Sequence, residues 1–204
     1  MNAPTLRIVI GTAGSGKSTI AQRLARQHGA AYLDKDAMSA RFVEAALVSA
    51  GYDPGDREAN PFYRDNLLPL EYDSLLDVAG ANLRLGCPVV VDAPFSHYLS
   101  DPTYITAAAE RFDWPPIDVE VVRVRVSPKT LQDRLRKRGL ERDQVKLAHW
   151  DEYWSVHGGL RCAWTGVRLS ELSNDAQEAE TASDLPALPI DLEHGGRDTD
   201  AGTR

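Results

Sequence analysis

The stretch Gly11-Thr12-Ala13-Gly14-Ser15-Gly16-Lys17-Ser18, continued by Thr19, leaves this chain few ways to fold. It has the spacing G-x-x-x-x-G-K-[ST], the Walker A pattern, and its context is the one that pattern requires. Before it, Leu6 to Ile10 is an apolar run that reads as a buried strand; after it, Ile20, Ala21, Leu24 and Ala25 recur at helical spacing until Gly29 can end the helix. Gly11, Gly14 and Gly16 permit a backbone path that turns consecutive N–H groups inward, so a polyphosphate can be cradled at the positive end of the following helix. The plain alternative is a glycine-rich turn with an accidental Lys-Ser, and the flanking strand and helix argue against it. The expectation is nucleoside triphosphate binding by residues 11–19, with Lys17 reaching the β and γ phosphates and Ser18 ligating Mg²⁺.

A chain of 204 residues with 43% apolar content can build one sizeable core and needs no second domain. Cys87 and Cys162 are too few and too far apart for a disulfide framework or a zinc site. No long apolar segment follows a basic start at the N-terminus, which predicts a cytoplasmic protein without a membrane partner. The net charge is −7, and most of it falls in residues 174–204, where eight acidic residues face only Arg197 and Arg204. That division predicts a domain over 1–173 and an acidic, disordered tail over 174–204, with Leu185 to Ile190 as its one apolar patch. The near-neutral body makes nucleic acid a poor partner.

In order along the chain, Ala30 to Leu33 reads as a second strand, and Asp36 reads as the cap of a helix over 37–50 with Met38, Val43, Ala46 and Leu47 inward. Residues 52–60 read as a loop, and a long helical pattern over 61–85 must be kinked or split by Pro69. Pro88 to Asp92 is a buried strand ending in a carboxylate, followed by a loop over 93–101 and a helix over 102–112. Val119 to Val126 is a fourth strand, Ser127-Pro128 opens a helix, another helix covers 142–153, and Ala163 to Leu169 supplies a fifth strand. Strands alternating with helices predict an α/β fold: a parallel five-stranded sheet covered on both faces, with ligands at the carboxyl ends of the strands.

Around the loop, Asp36 follows the second strand, where its carboxylate would project toward the γ phosphate and could accept a hydroxyl proton; it could equally be only a helix cap, and Asp34 is a rival base. Asp92 stands where a carboxylate could hold Mg²⁺, or merely begin a turn. Arg134, Arg138 and Arg142 recur at intervals of four, which gives either a solvated basic face or guanidinium groups that close over a transferring phosphoryl group. Arg57, Tyr63, Arg64, His97 and Tyr98 lie in segments expected to rim the cleft and, with Arg41, are the candidate acceptor contacts; the plain alternative for each is an ordinary surface or packing residue. Trp150, Trp154 and Trp164 could stack on a base, although their spacing fits core packing better. His149 and His157 show no metal-ligand pattern.

With these residues assembled, the chain resembles the P-loop small-molecule kinases of the nucleoside monophosphate kinase-like group, which includes chloramphenicol phosphotransferase, zeta toxin, shikimate and gluconate kinases and the AAA family ATP-binding proteins of polynucleotide kinase type. The resemblance covers about residues 6–150 and rests on Gly11 to Thr19, on Tyr32-Leu33-Asp34-Lys35-Asp36, and more loosely on Asp92 and residues 134–143. It implies a P-loop NTPase fold with an arginine-bearing lid carrying Arg134, Arg138 and Arg142, and it places the catalytic base at Asp36 rather than Asp34. Where the polynucleotide kinases carry an arginine three residues beyond the base, this chain has Ser39, with Arg41 two further on, which disfavours an oligonucleotide 5′ end as acceptor. The resemblance implies an ATP-dependent kinase, with Mg²⁺, acting on a hydroxyl of a small metabolite or antibiotic, as a monomer or homodimer. The competing expectations are a nucleotide-binding switch or NTPase without an acceptor, and a kinase of nucleic-acid ends or nucleotide sugars.

Overall fold

The computed structural model describes residues 3–57 and 60–175, apart from the side chains of Glu141 and Arg142; everything said of the acidic tail beyond Asp175 falls outside the described residues. The elements follow in the order β1 (Thr5–Ile10), α1 (Lys17–His28), β2 (Ala31–Asp34), α2 (Lys35–Ser49), a π-helical turn (Tyr63–Leu67), α3 (Leu68–Arg84), β3 (Val89–Asp92), α4 (Tyr104–Arg111), β4 (Asp118–Arg125), α5 (Pro128–Arg138), α6 (Glu141–Ala148), α7 (Trp150–His157) and β5 (Arg168–Ser173). The five strands form one sheet in the order β2-β3-β1-β4-β5, and every neighbouring pair is parallel. The order reverses direction at β1, so the loop leaving β1 opens into the crevice where such sheets bind ligands.

The sheet is buried on both faces, which is why its central strands read as unbroken apolar runs. On one face Val9, Val90, Val122 and Val124 pack against Ile20, Ala21, Leu24 and Ala25 of α1. On the other, Leu6, Ile8, Ile10, Val89, Val91 and Val121 meet Val43 and Leu47 of α2, the inward stripe of α3, and Ile105 and Ala108 of α4. That stripe is Leu68, Tyr72, Leu75, Leu76, Ala79 and Leu83, at helical spacing and buried throughout. Each leucine in it contributes about 1.5–3 kcal/mol by leaving water. A smaller cluster joins Val126, Leu131 and Leu135 to Trp150, Tyr153 and Trp154, binding α5 to α7.

Three expected features of the chain take a different form, and a fourth, the break at Pro69, takes the form expected. Helix α2 begins at Lys35, and its cap is Asp34, not Asp36: Asp34 is extended (φ −103°, ψ 120°) and its Oδ1 accepts from the Ala37 N–H at 3.0 Å, while Asp36 already lies in the first turn. The long pattern over 61–85 is split, as Pro69 demands. Its ring excludes the carbonyl four residues back, so the ladder loosens and the Leu68 N–H bonds to the Tyr63 carbonyl, five residues back. The helix expected over 142–153 divides at His149 into α6 and α7. The fifth strand lies at Arg168–Ser173, not 163–169, because Ala163 and Thr165 give their N–H groups to the Leu99 and Pro102 carbonyls and Trp164 is drawn into the core. Among the described residues no helix is long and apolar enough to cross a membrane.

Candidate active site

The loop between β1 and α1 holds the path that its glycines allow. Gly14 and Gly16 sit at φ 86° and 87°, a region closed to other residues without strain, and both are also sterically crowded. A Cβ on Gly14 would meet Leu135 Cδ2 at 2.9 Å and Leu131 Cδ1 at 3.0 Å; one on Gly16 would run into the Asn174 amide. Between them Ser15 is wholly buried, its N–H turned back to the Thr12 carbonyl at 3.1 Å. Its own carbonyl accepts from Asn174 Nδ2 at 2.8 Å and from Arg134 Nη1 at 3.2 Å, while Arg134 Nη2 donates to the Asn174 carbonyl at 2.8 Å. One peptide group of the loop thus ties together α5 and the segment leaving β5.

Strands β2 and β3 end in register at Asp34 and Asp92, two carboxylates on neighbouring strands. The Tyr32 hydroxyl lies 3.0 Å from Asp34 Oδ2 and 3.0 Å from Asp92 Oδ2, and its single proton serves both. Burial raises the Asp92 carboxyl; hydrogen bonds from Ser18 and Tyr32 and the Lys17 charge oppose this, and the Asp34 charge adds to it. Burial, followed by the Asp92 charge, likewise pushes the Tyr32 phenol up. Asp92 Oδ1 is buried without a hydrogen-bond partner among the described residues. A hard cation suits that arrangement: one unpartnered carboxylate oxygen beside a serine hydroxyl is the kind of partial site that Mg²⁺ completes with phosphate oxygens and water. No cluster of three or more His, Cys, Asp or Glu that could hold a metal alone exists among the described residues.

The first turn of α2 brings Asp36 to the same end of the sheet. Its carboxylate is 2.9 Å from the Lys35 ammonium, and its side chain is 59% exposed. Burial pushes the Asp36 carboxyl up, but the charge and hydrogen bond of Lys35, then the charges of Lys17 and Arg57, outweigh it and hold the group below its ordinary value. Lys35 is itself buried and makes a second ion pair, 3.1 Å, with Glu71 in the first turn of α3. Glu71 also accepts from Ser39 Oγ and, at 2.6 Å, from the Tyr63 hydroxyl.

The arginines expected over the phosphates have distinct places. Arg134 is held at the loop as described; Arg138 makes two 2.7 Å bonds to Asp143, which is 1% exposed; the Arg142 side chain lies outside the described residues. Of the expected acceptor contacts, Arg57 is near Asp36, where it donates to the Ala40 carbonyl at 3.1 Å, and Tyr63 reaches Glu71. Arg41 and His97 are exposed, and Arg64 is exposed and paired with Asp65 at 2.8 Å. Tyr98 stacks on Tyr104 at 4.5 Å and meets Tyr72 edge-on, a packing role with part of the ring exposed. Trp150 and Trp154 stack on each other beside α5, and Trp164 packs against Phe95 and Tyr104 and donates to the Tyr98 carbonyl.

Sequence reasoning passed over Lys35, Glu71, Asp143 and Asn174. Glu71 had a signal: it falls within the inward stripe of α3, between Leu68 and Leu75, and a carboxylate on a core stripe requires a buried partner. Asn174 had none, since only the return of the chain from β5 brings it to Ser15.

A family model described as an AAA domain matches residues 6–160. The chain is 44% identical over 59 residues to a cytidylate kinase of Mycobacterium avium (strain 104), a stretch covering 29% of this chain and 25% of that protein, so the chain spans about a quarter of the length of the curated relatives it matches. A candidate kinase of Chloroflexus aurantiacus J-10-fl has a similar structure, with a TM-score of 0.58 and 21% identity over 89% of this chain and 91% of that one. A sugar kinase of Janibacter sp. HTCC2649 is similar with a TM-score of 0.56 and 19% identity, covering 83% and 85% of the two chains. These likenesses establish that the fold is the P-loop kinase fold.

Proposed function

The chain belongs to the AAA domain family, and from that premise we propose that it is an ATP-dependent phosphotransferase acting on a hydroxyl group of a small molecule. The observation that carries this reading is the meeting, at one end of the sheet, of the phosphate loop with an exposed carboxylate, Asp36, whose environment keeps it ionised. Hydrolysis or switching needs a bound nucleotide and a water; an acidic group held ionised and open beside Lys17 suits an alcohol, whose proton must go somewhere.

In the mechanism that follows, the acceptor hydroxyl gives its proton to Asp36 as its oxygen bonds to the γ phosphorus, and the bond from that phosphorus to the β–γ bridging oxygen breaks to release ADP. The N–H groups of Gly11 to Thr19 and the Lys17 ammonium hold the phosphates in line and stabilise the charge passing to the leaving group. Ser18 and Asp92 would hold Mg²⁺, which would supply positive charge to offset the negative charge of the phosphates. Arg134 and Arg138 add guanidinium charge from the α5 side, Arg138 after leaving Asp143; Arg142 is assigned to the same lid from its place in the sequence. Arg57, Arg41, Arg64, His97 and Tyr98 are the candidate acceptor contacts. The shared stretch with cytidylate kinases is short, so the acceptor class rests on this chain's own residues and not on theirs.

The test is ADP release against a panel of hydroxylated metabolites and antibiotics, followed by Asp36→Asn on the best acceptor. That variant keeps the shape and loses the proton acceptor, so turnover should fall about 100-fold or more with the KM for ATP nearly unchanged. Because Asp36 is held below the ordinary carboxylate value, wild-type turnover should persist as pH drops through that range and fail only once Asp36 itself is protonated. Acceptor-independent ADP release that survives Asp36→Asn would instead point to an NTPase.

A further inference from the structure

The cluster around Lys35 is arranged differently from an ordinary buried ion pair. A lone lysine–glutamate pair inside a protein is replaceable by apolar residues with little loss, because desolvation consumes most of the attraction. Here one ammonium, with a side chain only 6% exposed, serves two carboxylates of opposite situation: Glu71, 2% exposed, and Asp36, 59% exposed. Glu71 in turn has no freedom of its own. Its Oε1 faces Ser39 from α2 as well as Lys35, its Oε2 takes Tyr63, and the single Ser39 hydroxyl proton is shared between Glu71 Oε1 and the Lys35 carbonyl, which lies 2.7 Å from Oγ.

The π-helical turn is what makes the last contact possible. Eight residues along an unbroken α-helix rotate a side chain roughly 80° past its starting face. The extra residue taken up by the turn at Tyr63–Leu67 makes Tyr63 and Glu71 equivalent to residues seven apart, which lie on one face. The chain accepts a loosened ladder here, and the Tyr63 hydroxyl reaches the Glu71 carboxylate in consequence.

We propose that Glu71, acting through Lys35, is a positioning residue for Asp36: it fixes the buried ammonium that holds the Asp36 carboxylate in the first turn of α2, and it shares that ammonium's charge so that Asp36 remains free to take a proton. The inference rests on the reading of Asp36 as the base. Among the described residues the charged or titratable groups that reach Asp36 are Lys35 from α2, Lys17 from the phosphate loop, Arg57 from the loop after α2, Tyr63 from the π-helical turn and, through Lys35, Glu71 from α3. Arg57 is itself engaged by the Ala40 carbonyl and lies 3.6 Å from Glu44, so its pull on Asp36 is divided, and Lys35 is the ammonium in contact.

The full-length protein labelled with ¹³C at the aspartate carboxyl carbons tests this by NMR titration, with the Asp36 signal identified by its disappearance in Asp36→Asn. In Lys35→Met the Asp36 midpoint should move to higher pH, because the contacting cation is gone. In Glu71→Gln it should move to lower pH, because the whole charge of Lys35 then falls on Asp36. A Glu71→Gln protein whose Asp36 midpoint stays at the wild-type value overturns the proposal, since a purely structural Glu71 would leave it there. If Glu71→Gln fails to fold, Glu71→Asp keeps a charge in the core but draws the carboxylate back from Lys35; a shifted Asp36 midpoint in that variant supports the proposal and an unchanged midpoint overturns it. No acceptor enters these titrations, so the positioning can fail while ADP release succeeds, and the kinase reading can fail on ADP release alone.

Discussion

The two sides of the cleft are built from different materials. The phosphate loop is a backbone object: its shape comes from Gly14 and Gly16 at left-handed dihedrals, and Ser15 is secured through its carbonyl and N–H rather than its side chain. The wall opposite, made by α2, the π-helical turn and α3, is a side-chain object in which Lys35, Glu71, Tyr63 and Ser39 form a buried polar network. Backbone architecture survives changes at most of its side chains but not at its glycines. A buried network fails at any member, because the partners left behind are charged and dry.

The sharpest way to break that contrast is Glu71→Ala. It strands the Lys35 ammonium with one partner and should cost about 3–5 kcal/mol of folding stability, read by urea denaturation. A loss under 1 kcal/mol would mean that the wall does not depend on its network. Lys17→Ala on the other side should behave in the opposite way: stability close to wild type, but about 2–4 kcal/mol lost from transition-state stabilisation in kcat/KM with whichever acceptor the ADP-release panel identifies. If the folded Lys17→Ala protein turned over normally, the loop would not be holding the transferring phosphate. The smallest effect is reserved for Asp34→Ala, which removes the α2 cap and should cost about 1 kcal/mol of stability while turnover falls far less than in Asp36→Asn. An Asp34→Ala enzyme as dead as Asp36→Asn would exchange the roles of the two aspartates.

That exchange marks where sequence reading ran out. The loop, its strand and its helix were legible because glycine spacing and hydrophobic period are local signals, and the five parallel strands followed from alternation alone. Asp34 and Asp36 were not separable from spacing, since either could cap a helix; the decision lies in a single bond, Asp34 Oδ1 to the Ala37 N–H. The fifth strand was misplaced because Ala163 to Val167 is apolar for a tertiary reason, the burial of Trp164 against Phe95 and Tyr104, and not because it pairs in the sheet. Asn174 carries no local mark at all, as its partner lies in the phosphate loop, and Asp143, although its partners Arg138 and Lys146 are near in sequence, is buried only by the packing of α6 on α5.

The junction at Ser15 has a mechanical consequence. Because the Asn174 amide and the Arg134 guanidinium meet on one loop carbonyl, and Asp175 accepts the Ser127 N–H at 2.7 Å just before α5, the exit of β5 is a load path from the far edge of the sheet to the phosphate loop. Asp175 is thus one residue from a direct hydrogen bond to the Ser15 carbonyl, a connection made outside the hydrophobic core. A fluorophore attached at the next residue of that exposed exit would therefore sit close in sequence to the loop's anchor at Asn174, at a site to which no part of the chemistry is assigned.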